Sequence, residues 1–461
     1  MGWINSILLP FIEAANSFLW DFALLFLLCG TGIYFTIRLR FVQVRKFKAG
    51  LKAVFGNLKL RGDKAGADGM SSFQSLATAI AAQVGTGNIA GAATAIASGG
   101  PGAIFWMWMS AFFGMATIFA EATAAQKYKT TVDGEVTGGP VYYIRAAFTG
   151  RFGKILAGFF SVALILALGF MGNMVQSNSI SDAFSQAFGM PKLITGIFVA
   201  VVAAFIFFGG KGRIASFTEK IVPIMAALYL AGGLVVLVVN ITAIPAAFAQ
   251  IFVGAFRPQA VMGGVLGATV KDAVRYGVAR GLFSNEAGMG STPHAHALAK
   301  VANPCDQGIV AMIGVFIDTF VVLTMTAMVI LSTGALSSGT TAAVLAQTAF
   351  NSVFGQAGDV FIAICMLFFA FSTIIGWYFF GETNVRYLLG KKAVPFYALL
   401  VIAFVMAGSL MKVDLVWDLS DLFNGLMVIP NLIGLLAVRK PVLRLFGAYE
   451  EKEKAQQEAL H

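Results

Sequence analysis

Over most of its length the chain shows neither the two-residue alternation of a half-buried strand nor the narrow apolar stripe of a surface helix. Apolar residues run on for about 20 positions at a time, enough for a helix rising 1.5 Å per residue to cross a hydrocarbon layer about 30 Å thick. Eleven such stretches are read, at 15–37, 73–98, 101–126, 155–182, 192–208, 214–240, 262–292, 305–333, 357–381, 394–411 and 419–438. The pattern predicts an all-α polytopic membrane protein, with residues 1–461 forming a single transmembrane domain. A membrane barrel would show segments of alternating hydrophobicity about ten residues long, and the sequence has none.

Composition agrees. Hydrophobic residues make up 58% and charged residues 12%, with a mean hydropathy of +0.81, against about 25% charged residues in a soluble domain. This excludes a soluble enzyme and a disordered chain. Three Cys and three His give neither a disulfide framework nor an imidazole metal centre, and no cofactor is expected. The net charge of +10 would suit nucleic acid, but its placement points elsewhere. The first stretch is preceded by Glu13, contains Asp21 and meets its first basic residue at Arg38, so it is not a cleavable signal and its N-terminus is expected outside. Threading eleven spans from there puts 26 of the 32 Lys and Arg in inside loops. Three (Lys192, Arg257, Lys412) fall outside, and three (Lys271, Arg275, Arg280) lie within the seventh stretch. Such asymmetry marks cytoplasmic loops. It predicts a multi-pass protein of the plasma (inner) membrane with a cytoplasmic C-terminus, and it assigns the charge to topology and anionic lipid. The loop Lys59–Asp68 reads as an exposed linker, and 439–461 as a cytoplasmic tail whose charged, apolar-poor end Glu450–His461 is solvated.

Two stretches carry Gly and polar residues at membrane depth: Gln83–Gly91 (QVGTGNIAG) in the second, and Gly281–Pro293 (GLFSNEAGMGSTP) in the seventh. Small residues can simply allow close helix packing. Paired glycines with Asn and Thr also favour unwinding, which the membrane tolerates only inside protein or beside a water-filled cavity. There, half-helix N-termini suit a carboxylate, and freed carbonyls suit a small cation. With 15–37 set aside as an extra helix, the breaks fall in helices one and six of ten. Residues 73–240 and 262–438 are similar in length, and an odd number of spans per half inverts their orientation. This is the pattern of an inverted five-plus-five repeat with its site at the interface. Gly85–Gly91 is not GxGxxG and follows no strand, so no dinucleotide site is implied.

At these residues the sequence resembles the alanine or glycine:cation symporters. Further matching stretches are Gly99–Trp108, Gly138–Pro140, Gly314–Thr319 and Phe371–Tyr378. The resemblance implies the fold of the bacterial leucine transporter preceded by one extra helix, and symport of a small neutral amino acid such as alanine or glycine with Na⁺ by alternating access. Glutamine or another neutral amino acid is the alternative substrate. The resemblance also implies a Na⁺ site from the carbonyls of Ala81, Val84 and Phe369 with the hydroxyls of Ser372 and Thr373. Substrate carboxylate would meet N–H groups at Thr86 and Gly87, and the ammonium would meet carbonyls near Phe283 and the Gln83 side chain. Asn173 and Trp377 would shape the pocket. No obligatory protein partner is implied.

Asp318 sits within the long apolar stretch 305–333, where a carboxylate is expensive and faces the bundle interior; cation coupling and structural hydrogen bonding both remain open. Glu286 is read as a half-helix cap or a substrate contact, and Glu121 as half of a structural ion pair. Lys220 either snorkels to the interface or, buried, carries a coupling proton. His294 and His296, two apart, do not share a helix face. No nucleophile–base pair, HExxH or nucleotide signature marks a membrane enzyme or ATP drive, and the non-identical breaks do not read as the repeated lining of a channel.

Overall fold

The computed structural model describes residues 2–56, 69–257, 269–411 and 413–458. The stretch 59–68, the start of 262–292 and the termini Met1 and His461 lie outside these. The described chain is almost wholly helical: α1 (Leu9–Arg38), α2 (Phe47–Phe55), α3 (Ser72–Gln83), α4 (Ala92–Gly99), α5 (Ala103–Lys127), α6 (Pro140–Ala147), α7 (Gly150–Phe188), α8 (Lys192–Phe207), α9 (Gly210–Val239), α10 (Ile244–Phe256), α11 (Val270–Asn285), α12 (Pro293–His296), α13 (Pro304–Thr333), α14 (Ala342–Phe354), α15 (Gln356–Leu389), α16 (Val394–Leu410), α17 (Val413–Ala437) and α18 (Arg439–Glu458). Between α5 and α6 lies one antiparallel hairpin, β1 (Thr130–Val132) with β2 (Glu135–Thr137), registered Thr131 opposite Val136. Eight helices among the described residues are long and apolar enough to cross a membrane.

Local chemistry sets the helix starts. Ser71 and Gln74 form a reciprocal capping box ahead of α3, Thr269 and Asp272 do so ahead of α11, and Asn303 and Asp306 ahead of α13, each satisfying N–H groups the helix cannot pair itself. Phe and Leu left exposed on α1, α8, α9 and α16 form the outward apolar surface a bilayer covers. The middle of the bundle is α3, α4, α11 and the inward faces of α5, α7, α13 and α15.

Several elements were not read from sequence. Helices α2, α10 and α14 occupy intervals read as loops, as do the hairpin and α6. The tail, its end read as solvated, is the helix α18, which returns to the bundle: Glu450 pairs with Arg45, Glu453 pairs with Lys46, and Phe446 packs edge-on against Phe119 at 5.2 Å. One face of this 20-residue helix carries Leu443 and Phe446 together with Glu450 and Glu453, so it covers the bundle through apolar contacts and ion pairs alike.

Candidate substrate and ion site

Both Gly-rich stretches interrupt their helices. α3 ends at Gln83, the chain turns out of helical geometry at Val84 (ψ 89°), and a widened turn over Gly87–Gly91 leads into α4. α11 ends at Asn285, and Glu286 then adopts left-handed geometry at φ 57°, which costs a non-glycine residue unless its surroundings hold it. Here they do. The Glu286 carboxylate receives Trp377 Nε1 and Ser291 Oγ. Gly288 and Gly290 follow with φ of +92° and +79°, turning their N–H groups onto Glu121, whose two oxygens accept them at 2.9 and 3.1 Å, with Asn431 Nδ2 also bound at 2.6 Å. Glu121 therefore holds the backbone of the second break itself. Its expected ion pair is replaced by hydrogen bonds, and Glu286 serves the turn.

The two breaks meet. A Cβ on Gly87 would lie 3.0 Å from Ser284, so a larger residue would push the two segments apart. Asp318 joins them: its Oδ1 accepts Asn88 Nδ2 at 2.7 Å and Ser284 Oγ at 2.9 Å, and its Oδ2 accepts Thr319 Oγ1 at 2.8 Å. Three neutral donors from three chain segments solvate this fully buried carboxylate, as such a group requires. Widened turns recur beside the breaks, at Ile165–Gly172 ahead of Asn173 and at Phe316–Leu323 around Asp318, as π-type turns often do near functional positions.

On the α15 side, four of the five expected ion ligands converge. Thr373 Oγ1 lies 2.9 Å from the Ala81 carbonyl and 3.1 Å from that of Phe369, and Ser372 Oγ is 3.3 and 2.8 Å from the same two oxygens. A hydroxyl bonded to its own helix one turn back is common in membrane helices; the contacts to Ala81 cross to the broken helix. Val84, three residues on, lies in the break itself. Met225 Sδ from α9 touches Ser372 at 3.4 Å, whereas Lys220 on that helix is exposed on the bundle surface and reaches no ion ligand.

The expected substrate residues divide. Thr86 N–H donates to Gln176 Oε1 at 3.1 Å, and Gly85 N–H to Asn88 Oδ1 at 2.9 Å. Around them Thr86 Oγ1, Asn173 Oδ1 and Gln176 Nε2 are buried without a protein partner. Gln83 reaches across to the other break, donating to the Asn285 carbonyl at 2.8 Å with its Oε1 toward Gly314. The Phe283 ring stands edge-on to Trp377 at 5.5 Å and leans on Trp417 at 4.8 Å. Asn173 Nδ2 holds the Gly169 carbonyl at 3.1 Å, and neighbouring Gly172 lies against the Trp377 ring, leaving no room for a Cβ. Gln176, Asn88, Ser284 and Trp417 were missed from sequence. Gln176 was within reach of it, one helical turn from Asn173 on the same face.

Interrupted helices that meet at mid-bundle around buried, partnerless polar groups are the arrangement of a membrane transporter. Solved transporters share the fold. MhsT in complex with L-phenylalanine matches with a TM-score of 0.58 at 13% identity, covering 83% of this chain and 98% of that one. A manganese transporter from Eremococcus coleocola matches at 0.51 and 13%, covering 79% and 76%. At such identities the likeness is of fold alone. The family is fixed by sequence: the chain belongs to the sodium:alanine symporter family, whose profile matches residues 5–461. It is 42% identical to the sodium/alanine symporter AgcS of Methanococcus maripaludis, covering 96% of this chain and 97% of the relative. It is also 42% identical to the probable sodium/glutamine symporter GlnT of Bacillus subtilis, covering 98% and 93%. The putative sodium/proton-dependent alanine carrier YrbD of the same bacterium is 39% identical, covering 96% and 93%.

Proposed function

We propose that the chain couples Na⁺ influx to uptake of a small neutral amino acid by alternating access, through eleven spans arranged as one extra helix (α1) and an inverted five-plus-five repeat within a single domain. The carrying observation is the trio Thr86 Oγ1, Asn173 Oδ1 and Gln176 Nε2, buried and unpartnered beside the break. Buried polar atoms are rarely left so unless something else pairs them. Two oxygen acceptors and one amide donor suit the ammonium and carboxylate of a zwitterion. The four oxygens from Ala81, Phe369, Ser372 and Thr373, completed by the Val84 carbonyl, carry no formal charge and suit a hard monovalent cation.

Names among the relatives support Na⁺ coupling and leave alanine and glutamine both represented. Enclosure by Phe283 and Trp377 favours the smaller side chain. The repeat reading is supported by a pairing: α6 follows the second helix of the first half, and α14 follows the second helix of the other. Proton coupling through Lys220 would need that ammonium against the ion ligands, and its exposure disfavours it.

The test is radiolabelled alanine uptake into proteoliposomes of the purified protein, with Na⁺ and H⁺ gradients imposed separately. Accumulation driven by Na⁺ alone, competed by glycine and serine and not by leucine, is expected. Uptake driven only by a proton gradient would overturn the coupling, and preference for glutamine would overturn the substrate size.

A further inference from the structure

The helix outside the repeat, α1, does more than add apolar bulk. At one end of the bundle three of its residues grip two different helices. Asn16 Nδ2 donates to the Asp418 carbonyl at 2.8 Å, and Trp20 Nε1 to the Asp421 carbonyl at 3.2 Å. Both therefore hold the backbone of α17. On the next residue, Asp21 pairs with Lys271 at 2.7 Å and Arg275 at 3.2 Å on α11, and Ser17 Oγ braces it at 3.1 Å. Asn16 and Trp20 are almost fully buried, and the chain around Asp21 runs as a widened turn over Leu19–Ala23, which rotates successive side chains relative to a regular helix.

Between these grips α11 and α17 meet directly. Arg280 forms a two-pronged pair with Asp421 at 2.7 and 2.8 Å, with both side chains nearly buried, and its guanidinium lies 4.5 Å over the Trp417 ring. Trp417 in turn covers Phe283, one turn from Arg280, beside the second break. Lys271 and Arg275, the exposed partners of Asp21, stand on the solvent side, and from Arg280–Asp421 the contacts run through Trp417 to Phe283 at the site. Planar bidentate pairing demands that both helices be held in register, and neither helix supplies that register alone.

We propose that α1 is the fixed post of the gate at this end: Asn16 and Trp20 position Asp421, Asp21 draws in α11, and opening toward this side parts α11 from α1 and α17 together. The proposal deepens the alternating-access reading above and rests on it. Asn16, Trp20 and Asp21 are positioning residues, acting on substrate only through the Arg280–Asp421 pair. Lys271 is mostly exposed and Arg275 partly so, so their hold on Asp21 weakens as salt rises.

The test reads gate opening directly. In full-length purified protein carrying Cys29→Ala, Cys305→Ala and Cys365→Ala, a reporter Ala279→Cys, buried between Arg280 and Arg275, is labelled with a hydrophilic maleimide. Asp21→Asn and Trp20→Phe, which keep shape and remove one charge or one N–H, should speed labelling at least threefold, as should Arg280→Lys. Raising salt from 0.05 to 1 M should speed the parent and leave Asp21→Asn nearly unchanged. In uptake assays both α1 variants should shift KM more than the amount of folded protein. Labelling at the parent rate in Asp21→Asn and Trp20→Phe, with Arg280→Lys fast, overturns the role of α1. Parent-rate labelling in all three overturns the gate. If either variant folds poorly, the salt response of the parent decides alone: its absence overturns the proposal. Labelling needs no transport, so these outcomes stand apart from failure of the symport reading, which would appear as absent Na⁺-driven uptake in the parent.

Discussion

Thr373 is the residue where stability and ion binding can be separated. Its hydroxyl spans the Ala81 and Phe369 carbonyls, so Thr373→Ala removes a hydrogen bond with a net contribution of about 0.5–1.5 kcal/mol to folding. If the oxygen also holds Na⁺, a charge-assisted contact of about 1.5–3 kcal/mol is lost, and half-saturating Na⁺ should rise roughly ten- to 150-fold. Ser372→Ala should act in the same direction, and Thr373→Ser should largely restore the parent. Uptake titrated against Na⁺ checks this; unchanged Na⁺ dependence in both Ala variants would remove these residues from the ion site. Asn173 offers a second separation. Its amide bonds only locally, to Gly169, while its Oδ1 has no partner, so Asn173→Ala opens space without breaking a hydrogen bond between helices. A side chain that overfills a packed pocket costs about 1–3 kcal/mol, which is roughly a five- to 150-fold discrimination. Competition by a series from glycine to leucine should therefore show leucine rejected by the parent and gaining most in Asn173→Ala. Trp377 is the poorer probe, because it also anchors Glu286.

At the scale of elements, the β1–β2 hairpin shows what pairing between distant loops does. Glu135 receives Arg386 at 2.8 Å and Lys211 at 2.9 Å, with Lys391 at 3.4 Å, so a three-residue strand clamps the start of α9 to the end of α15. The Arg386 guanidinium, aided by Lys211 and opposed by partial burial, holds the Glu135 carboxyl down at about 2. A carboxyl depressed in the folded state contributes its stability above its ordinary value of 4.5 and loses it as pH falls from there toward 2. A nitroxide at Thr131→Cys should stay immobile from pH 7 to about 5 and loosen below 4.5, and Glu135→Gln should be loose throughout; pH-independent mobility in the parent would show that the clamp does not hold the hairpin. This element was invisible in the sequence, because strands of three residues carry no periodicity and Glu135 finds its cations 76 or more residues away. The two broken helices were legible because Gly, Asn and Thr at membrane depth are costly unless the helix is meant to stop. The partners of the breaks were not: nothing local ties Glu121 to the N–H groups of Gly288 and Gly290, or Gln176 to Thr86.

For the whole molecule, the contacts sort the loops into two ends without reference to a membrane. Glu135 gathers the hairpin, the start of α9 and the end of α15 at one end. Met70 pairs with Leu298 and Lys300 there, Lys129 bonds the Ala299 carbonyl, and Arg45 reaches Glu450 of α18. Asp21 with Lys271, Arg280 with Asp421 and Lys192 with Asp182 gather at the other. Every loop in the first group is one that threading eleven spans puts on the same side as the 26 basic residues, and Lys192 falls on the sparse side. The sorting says which loops lie together, and the charge asymmetry predicts that the end rich in Lys and Arg is cytoplasmic, because Lys and Arg in short loops resist translocation. The expected outcome is specific to position. In intact cells, a membrane-impermeant maleimide should label Met190→Cys and Thr340→Cys, and should reach Thr131→Cys and Lys391→Cys only after permeabilisation. Labelling of all four in intact cells would break the two-ended sorting. Labelling of only the second pair would keep the fold and the sorting, invert the protein in its membrane, and turn the gate at α1 toward the cytoplasm.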